Sequence, residues 1–217
     1  MSEDGFRKKL IAAKEAWAKT GRLLTGTHSK REESRLPPGQ RLVTNWPVLD
    51  LGVQPEVSKD QWSLVIDGAV DRPLQWDWAQ YIAQPQVEYI SDIHCVTQWS
   101  RYDNHWVGVS LAHIADAAGV RDTVRHVLFH GYDGYTTNVS MAQFLSAGAM
   151  LAHQHDGQAI SREHGGPVRV VIPDWYFWKS AKWIARIEFL EADQPGFWEV
   201  RGYHNEGDPW REERYSG

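Results

Sequence analysis

Cys95 is the single cysteine in a chain of 217 residues. It stands where a strand-like run breaks into a polar, aromatic turn, Ile93-His94-Cys95-Val96-Thr97-Gln98-Trp99-Ser100-Arg101. A lone thiol has no internal disulfide partner, so it is a buried bystander, a nucleophile or a ligand. As a nucleophile it needs a base. His94 is poorly placed for that role, because neighbours on a strand point to opposite faces. Ten histidines leave a more distant base open. The run His153-Gln154-His155-Asp156 resembles a chelate, since alternate strand residues share a face. It is short, however, and its setting reads as a surface loop. Zinc would want more thiolates or a third convergent histidine.

A second constellation runs from His164-Gly165-Gly166-Pro167-Val168-Arg169-Val170-Val171-Ile172-Pro173 into Lys179-Ser180-Ala181-Lys182-Trp183. Paired glycines before an apolar strand permit close backbone approach to a ligand. Arg169, on an otherwise apolar strand, needs an anion, because an isolated buried guanidinium is costly. Lys179 and Lys182 frame a short turn whose backbone N–H groups can face the same anion. A phosphate suits this set, which equally describes a structural salt bridge with two solvated lysines.

Other chemistries are excluded by what is missing. The chain has no Gly-x-Gly-x-x-Gly, no phosphate loop ending Gly-Lys-Ser/Thr and no Gly-x-Ser-x-Gly elbow. Residues 1–41 carry a net charge of +5 and the remainder −10. An acidic body argues against nucleic acid as a partner, since phosphate contacts need a concentrated basic face. The basic leader either forms a solvated helix face, lies across its own acidic body or reaches a partner. No apolar run approaches the roughly 20 residues of a membrane span. The first residues do not read as a signal peptide, so a cytoplasmic location is expected. Twelve tryptophans suit either an aromatic-walled pocket or a heavy core.

The elements that must position these residues can be read from periodicity. Phe6, Leu10, Ala13, Trp17 and Leu24 share a helical stripe, which predicts an amphipathic helix over about 3–20. Thr25 to Gly39 reads as a linker. Strands are expected at Trp62–Ile66, closed by the Asp67-Gly68 turn, and at Val87–Ile93, Val124–Phe129, Tyr135–Val139, Pro167–Ile172 and Ile184–Leu190. Helices are expected over 74–83, from a Ser110 cap to Ala118 before Gly119, and from a Ser140 cap to about Met150. Strands and helices mix without strict alternation, which gives an α+β class. The chain divides into a helix and linker over 1–35 and one domain over 36–217.

Taken together these residues resemble a known family. The Cys95 motif, the Gly-Gly-Pro-Val-Arg-Val-Val-Ile-Pro strand and the Lys-Ser-Ala-Lys-Trp turn look like the molybdopterin-binding domain of the sulfite oxidase family. The likeness extends to Leu36-Pro37-Pro38-Gly39-Gln40, Trp46-Pro47-Val48-Leu49-Asp50-Leu51-Gly52, Gly196-Phe197-Trp198-Glu199, Gly202-Tyr203-His204 and Gly207-Asp208-Pro209-Trp210. These stretches resemble a short bacterial branch of sulfite oxidase-like oxidoreductases, over about residues 36–215. The resemblance implies a mixed α+β fold of several small sheets around a buried pterin. It implies a molybdenum ion held by molybdopterin and by one protein thiolate, Cys95, a soft ligand that suits a redox metal. It places Arg169 and the turn Ser180, Ala181 and Lys182 at the pterin phosphate, with Lys179, which frames that turn, as a further cofactor-binding candidate. Asn45 matches a pterin-contacting asparagine, and His164 stands where a relative carries another asparagine. Tyr135 falls near the position of a sulfite oxidase active-site tyrosine. The substrate-side candidates are Trp99 as a wall, Arg101 as an anion attractor and Tyr135 as a hydrogen-bond donor to the transferring oxygen; Trp99 as core and Arg101 as a surface cation is the other reading.

Departures from the pattern also matter. Val96-Thr97-Gln98-Trp99-Ser100 stands between Cys95 and Arg101, where sulfite oxidases carry an Ala-Gly-Asn-Arg-Arg-like run. There is no haem domain, so electrons are expected to pass to or from a separate haem or flavin protein. The expected reaction is oxygen-atom transfer on a small oxo-anion or an S- or N-oxide. Two other readings stand beside it: a metal-independent enzyme using Cys95 as nucleophile, and a non-catalytic binding module on the same fold.

Overall fold

The computed structural model describes residues 3–20 and 35–216, with the side chains of residues 3, 4, 6, 7 and 17–20 left out. Leu24 of the helical stripe, and residues 25–34 of the linker, lie outside the described residues. Helix α1 spans Glu3–Thr20, as the periodicity predicts.

Two mixed sheets carry the body. The first has six strands, ordered β1-β5-β8-β10, with β4 also on β5 and β9 on β8. Its members are β1 (Arg41–Leu42), β4 (Gln86–Cys95), β5 (Trp99–Ser110), β8 (Met150–His155), β9 (Gln158–Ala159) and β10 (Arg169–Val171). The second has five strands in the order β3-β2-β11-β6-β7. They are β2 (Ser63–Gly68), β3 (Leu74–Asp77), β6 (His126–Gly131), β7 (Thr136–Ser140) and β11 (Ile184–Leu190). Two pairings are parallel, β1 with β5 and β2 with β11. This is the α+β architecture expected, with few and short helices.

Local chemistry explains most boundaries. Ser110 caps α3 (Leu111–Ala118) by accepting from His113 N, and Gly119 ends it at φ +66°. Gly68 sits at φ +88°, where an added Cβ would lie 2.2 Å from the Phe189 carbonyl oxygen. Only glycine serves there without moving the β2–β11 pair.

Three expectations are corrected and one element, the strand over 99–110, is not anticipated in the sequence. Residues 74–83 are not one helix. Residues 74–77 form β3 against β2, and Asp77 then caps the short α2 (Trp78–Ile82) through a capping box with Gln80. The Ser140 cap is present, but α4 stops at Met141–Phe144, because Gly148 turns at φ +76° and Met150 must enter β8. The segment 99–110 is a twelve-residue strand at the centre of the first sheet. The last correction concerns the two histidines expected in a loop. They lie on β8, where Gly108 pairs with Ala152 and Val107 with Gln154, so His153 is an extra, bulged residue. The bulge sends the two rings apart. His153 packs edge-on to Trp78 and Tyr81, and His155 packs on Trp46 and Trp106. They do not form a chelate.

Candidate active site

The thiol is presented by a tight hairpin. Strands β4 and β5 are joined by Val96-Thr97-Gln98, Cys95 pairs with Trp99, and Gln98 N donates to Cys95 O at 3.0 Å. Gln98 takes φ +66°, the left-handed residue that three-residue hairpin loops require. Gln40 Nε2 donates to the Cys95 carbonyl at 3.1 Å, and Arg41 N donates to Gln98 O at 3.0 Å. The Leu36–Gln40 stretch therefore clamps the hairpin from one side.

As the strand period requires, His94 and Cys95 face opposite ways. His94 borders a shallow cleft with Trp210 and is held by Ser100 Oγ at 2.8 Å. The Cys95 thiol faces a partly open cavity and meets Thr97 Oγ1 at 3.1 Å. Among the described residues no histidine is hydrogen-bonded to it. Burial pushes its proton affinity up. Without a metal or a base this thiol is a poor nucleophile.

The cavity draws its wall from segments far apart in sequence: Lys14, Trp46 to Leu51, Cys95 to Trp99, Asp133 to Tyr135, His164 to Trp183, and Trp198 with Tyr203. Five indoles line it, at Trp46, Trp99, Trp178, Trp183 and Trp198. Trp62, Trp76 and Trp106 fill the core instead. The tryptophan surplus thus serves both purposes the sequence allowed.

One end is cationic. Arg169 is 1% exposed, and its guanidinium meets no carboxylate among the described residues. It donates to the carbonyls of His164 at 2.7 Å and Ser180 at 2.9 Å and lies over the rings of Phe177 and Trp46. Burial lowers it to about 9. Lys182 is lowered to about 7 by burial and then by Arg169. His164 is lowered to about 3 by burial and by both of these cations. Arg169 lowers both Lys182 and His164, so an anion arriving here would relieve like-charge crowding. The backbone N–H groups of Ala181 and Lys182 donate to no carbonyl among the described residues. Ser180 lines the cavity while its Oγ accepts from Ile172 N at 2.9 Å.

The glycine pair does something other than expected. A Cβ on Gly165 would fall 2.8 Å from the Lys182 side chain, and one on Gly166 would fall 2.1 Å from Ile160 O. The pair lets the chain pass tightly under the lysine turn, rather than approach a ligand.

Several residues singled out in the sequence are placed elsewhere or otherwise engaged. Lys179 is fully buried with its ammonium on Glu199 Oε1 at 2.7 Å and Asn138 O at 2.8 Å, outside the cavity. Arg101 is bound to Asp156 at 2.6 Å, to His155 at 3.1 Å and to Asn104, behind the Trp46 layer. It does not line the cavity. Asn45 is exposed and precedes the lining residue Trp46. Tyr135 lines the cavity, but its hydroxyl donates to the Trp178 carbonyl at 2.6 Å. Sequence reasoning missed Lys14 of α1, Asp50 and Trp46. The ring of His164 stacks on Trp46 at 3.8 Å and 10°. That pair had no local signal beyond two aromatic residues 118 positions apart.

Does a flat, fused-ring, phosphorylated group fit? Trp99 Nε1 and His164 Nδ1 are buried donors or acceptors without a partner. Unpaired buried polar atoms of this kind call for a ligand. The indole walls suit a flat ring system, the cationic end suits a phosphate, and the lone thiol suits a soft metal. The residues present fit molybdopterin.

The buried histidines also set an acid limit. Burial lowers His94 and His155 to about 4 and His164 to about 3 from an ordinary 6.5. Folded values below the unfolded value mean that stability is complete above about pH 6.5 and drains away as pH falls toward 4. We expect each to cost roughly 1–2 kcal/mol at about pH 5 in the cofactor-free protein, at about 1.4 kcal/mol per pH unit. Urea denaturation at about pH 7 and about pH 5 checks this, and equal midpoints would refute it.

Residues 51–198 match the family described as oxidoreductase molybdopterin binding domain. The chain is 42% identical over 191 residues to a Bacillus subtilis protein named uncharacterized oxidoreductase YuiH, covering 88% of this chain and 96% of that one. It is 26% identical to the protein-methionine-sulfoxide reductase catalytic subunit MsrP of Ralstonia nicotianae, covering 64% of this chain and 46% of that one. It is 32% identical over 108 residues to mitochondrial sulfite oxidase of Rattus norvegicus, covering 45% of this chain and 20% of that one. The last two are thus matched over less than half their length. Among solved structures, the sulfane dehydrogenase SoxCD from Paracoccus pantotrophus superposes with a TM-score of 0.59 at 23% identity. It covers 64% of this chain and 40% of that one, a likeness of fold.

Proposed function

This chain belongs to the oxidoreductase molybdopterin binding domain family, and from that premise we propose that it transfers an oxygen atom to or from a small oxo-anion or an S- or N-oxide. It is an oxidoreductase whose cofactor is molybdopterin carrying molybdenum. When bound, that group supplies two-electron oxygen-atom transfer. The chain's own residues have narrower roles. Cys95 offers the thiolate that the metal takes, from a hairpin that fixes its direction. Arg169, Lys182 and the Ser180-Ala181-Lys182 turn receive the phosphate. Trp46, Trp99 and Trp183 wall the ring system and exclude water, and His164, stacked on Trp46, brings a nitrogen with no partner among the described residues. The observation that carries this reading is the buried Arg169, which meets no carboxylate among the described residues and lines the same cavity as the only thiol. Oxidation of a substrate by water releases two electrons and two protons. We assign those electrons to a separate haem or flavin protein, a reading supported by the relative MsrP being named a catalytic subunit. No helix of the described residues is long and apolar enough to cross a membrane.

The test is protein purified from a molybdopterin-producing host. We expect near-stoichiometric molybdenum and pterin, and turnover of sulfite with an artificial acceptor or of a sulfoxide with an artificial donor. Arg169→Ala should weaken cofactor retention about tenfold or more, since a charge-assisted contact is worth roughly 1.5–3 kcal/mol and about 1.4 kcal/mol is a decade. A folded Arg169→Ala protein with full pterin content would remove the phosphate assignment.

A further inference from the structure

Helix α1 is part of the cavity wall. Ile11 packs against the core, Glu15 O accepts from Tyr215 Oη at 3.2 Å, and Lys14, one turn on from Ile11, enters the lining beside Cys95. The three cations of the cavity differ in what holds them. Arg169 is anchored by backbone carbonyls and Lys182 by Glu163 O, and both are assigned to the phosphate above. Lys14 makes no hydrogen bond or ion pair among the described residues. Its charged neighbours are Asp50, Cys95 and, from farther along the wall, Lys182. Asp50 already accepts from Gly52 N at 2.8 Å and Gln54 Nε2 at 2.7 Å and forms no salt bridge with Lys14. An ammonium held in a cavity with no partner is positioned for one that arrives. Arg101, the cation the sequence favoured for this role, is consumed by Asp156, Asn104 and His155.

We propose that Lys14, carried by α1, binds the oxygens of an anionic substrate at the thiolate end of the cavity. The proposal rests on the oxo-anion half of the function given above. It gives one lysine of the basic leader a place in the cavity wall.

The experiment compares holoenzyme with its Lys14→Gln and Lys14→Arg variants. Three quantities are read: molybdenum and pterin content, the dissociation constant of inorganic sulfate from the shift in visible absorption, and steady-state kinetics with sulfite and with dimethyl sulfoxide. We expect unchanged cofactor content, and about tenfold weaker sulfate binding in Lys14→Gln, the loss of one charge-assisted contact. The sulfite KM should rise similarly and lose its salt dependence. Lys14→Arg should restore both, and the KM for dimethyl sulfoxide, which carries no charge, should change far less than that for sulfite. A Lys14→Gln enzyme that oxidises sulfite with ordinary KM and sulfate affinity overturns the Lys14 assignment and leaves the function standing. Cofactor content that falls with the substitution overturns it too, making Lys14 a cofactor residue. A wild-type holoenzyme that reduces the sulfoxide yet binds neither sulfate nor sulfite overturns the assignment together with the oxo-anion reading.

Discussion

Cys95→Ser protein is expected to fold, to keep its pterin and to lose both its visible charge-transfer absorption and its turnover. The hairpin is held by backbone pairing of Cys95 with Trp99 and by the Gln40 contact to a carbonyl, none of which uses the sulfur. Serine is close in size, so the packing around a residue 6% exposed is preserved. The pterin has its own anchors at Arg169 and Lys182. What disappears is the soft donor, and a serine hydroxyl is a much poorer partner for a redox metal. Losing a supporting residue around a metal commonly costs roughly 10–100-fold, so losing the ligand should cost more. Pterin content, absorption spectrum and turnover measured on one preparation decide the matter. Unchanged spectra and turnover would end the assignment.

The second large effect is on stability. Lys179 and Glu199 form an ion pair that is 0% and 2% exposed. Glu199 Oε1 also accepts from Thr137 Oγ1 at 2.9 Å and Trp178 Nε1 at 3.0 Å. The pair ties the segment after Gly196 to β7 and to the turn at Phe177–Lys179, and so sets Trp178, Trp198 and Tyr203 into the cavity wall. Removing one partner leaves an uncompensated buried charge, so Glu199→Ala should destabilise the protein by about 3–5 kcal/mol. The double variant Lys179→Met/Glu199→Leu should recover most of that loss, because well-packed apolar groups can replace a buried pair at little cost. A double-mutant cycle in urea measures both. Equal losses in the single and the double variant would contradict this account.

Some signals in a sequence carry further than others. The Ser110 cap, the Gly119 stop and the apolar runs of β10 and β11 were legible because each depends on a few neighbouring residues. Strand β5 was not, although it alternates. Its core-facing positions include Ser100 and Asn104, both fully buried, and polar residues hide a hydrophobic period. Asn104 is satisfied by the carbonyls of Ser91 and Arg101, contacts that only the folded hairpin creates. The strand-then-helix at 74–82 did have a local sign, the Asp77…Gln80 capping box, which the apolar pattern outweighed. Within the site, Cys95 and Arg169 could be singled out by chemical type alone. The different fates of Lys179, Lys182 and Lys14 could not. Which of three lysines is paired, half-paired or free depends on Glu199, Glu163 and Asp50, and chain distance does not reveal those neighbours.

The dispersal of the cavity wall along the chain has a consequence for timing. Its first contributor is residue 14 and its last is residue 203, with the thiol near the middle. No nascent fragment holds the pocket, because Trp198 and Tyr203 are made after every other wall. Pairing strands this distant in sequence closes long loops and is slow. The cofactor therefore meets a finished, folded chain, and loading comes after folding. Once loaded, it binds only the native state and draws the folding equilibrium toward it. In a cell short of the cofactor, the first symptom would be a standing pool of empty, less stable chains open to proteolysis.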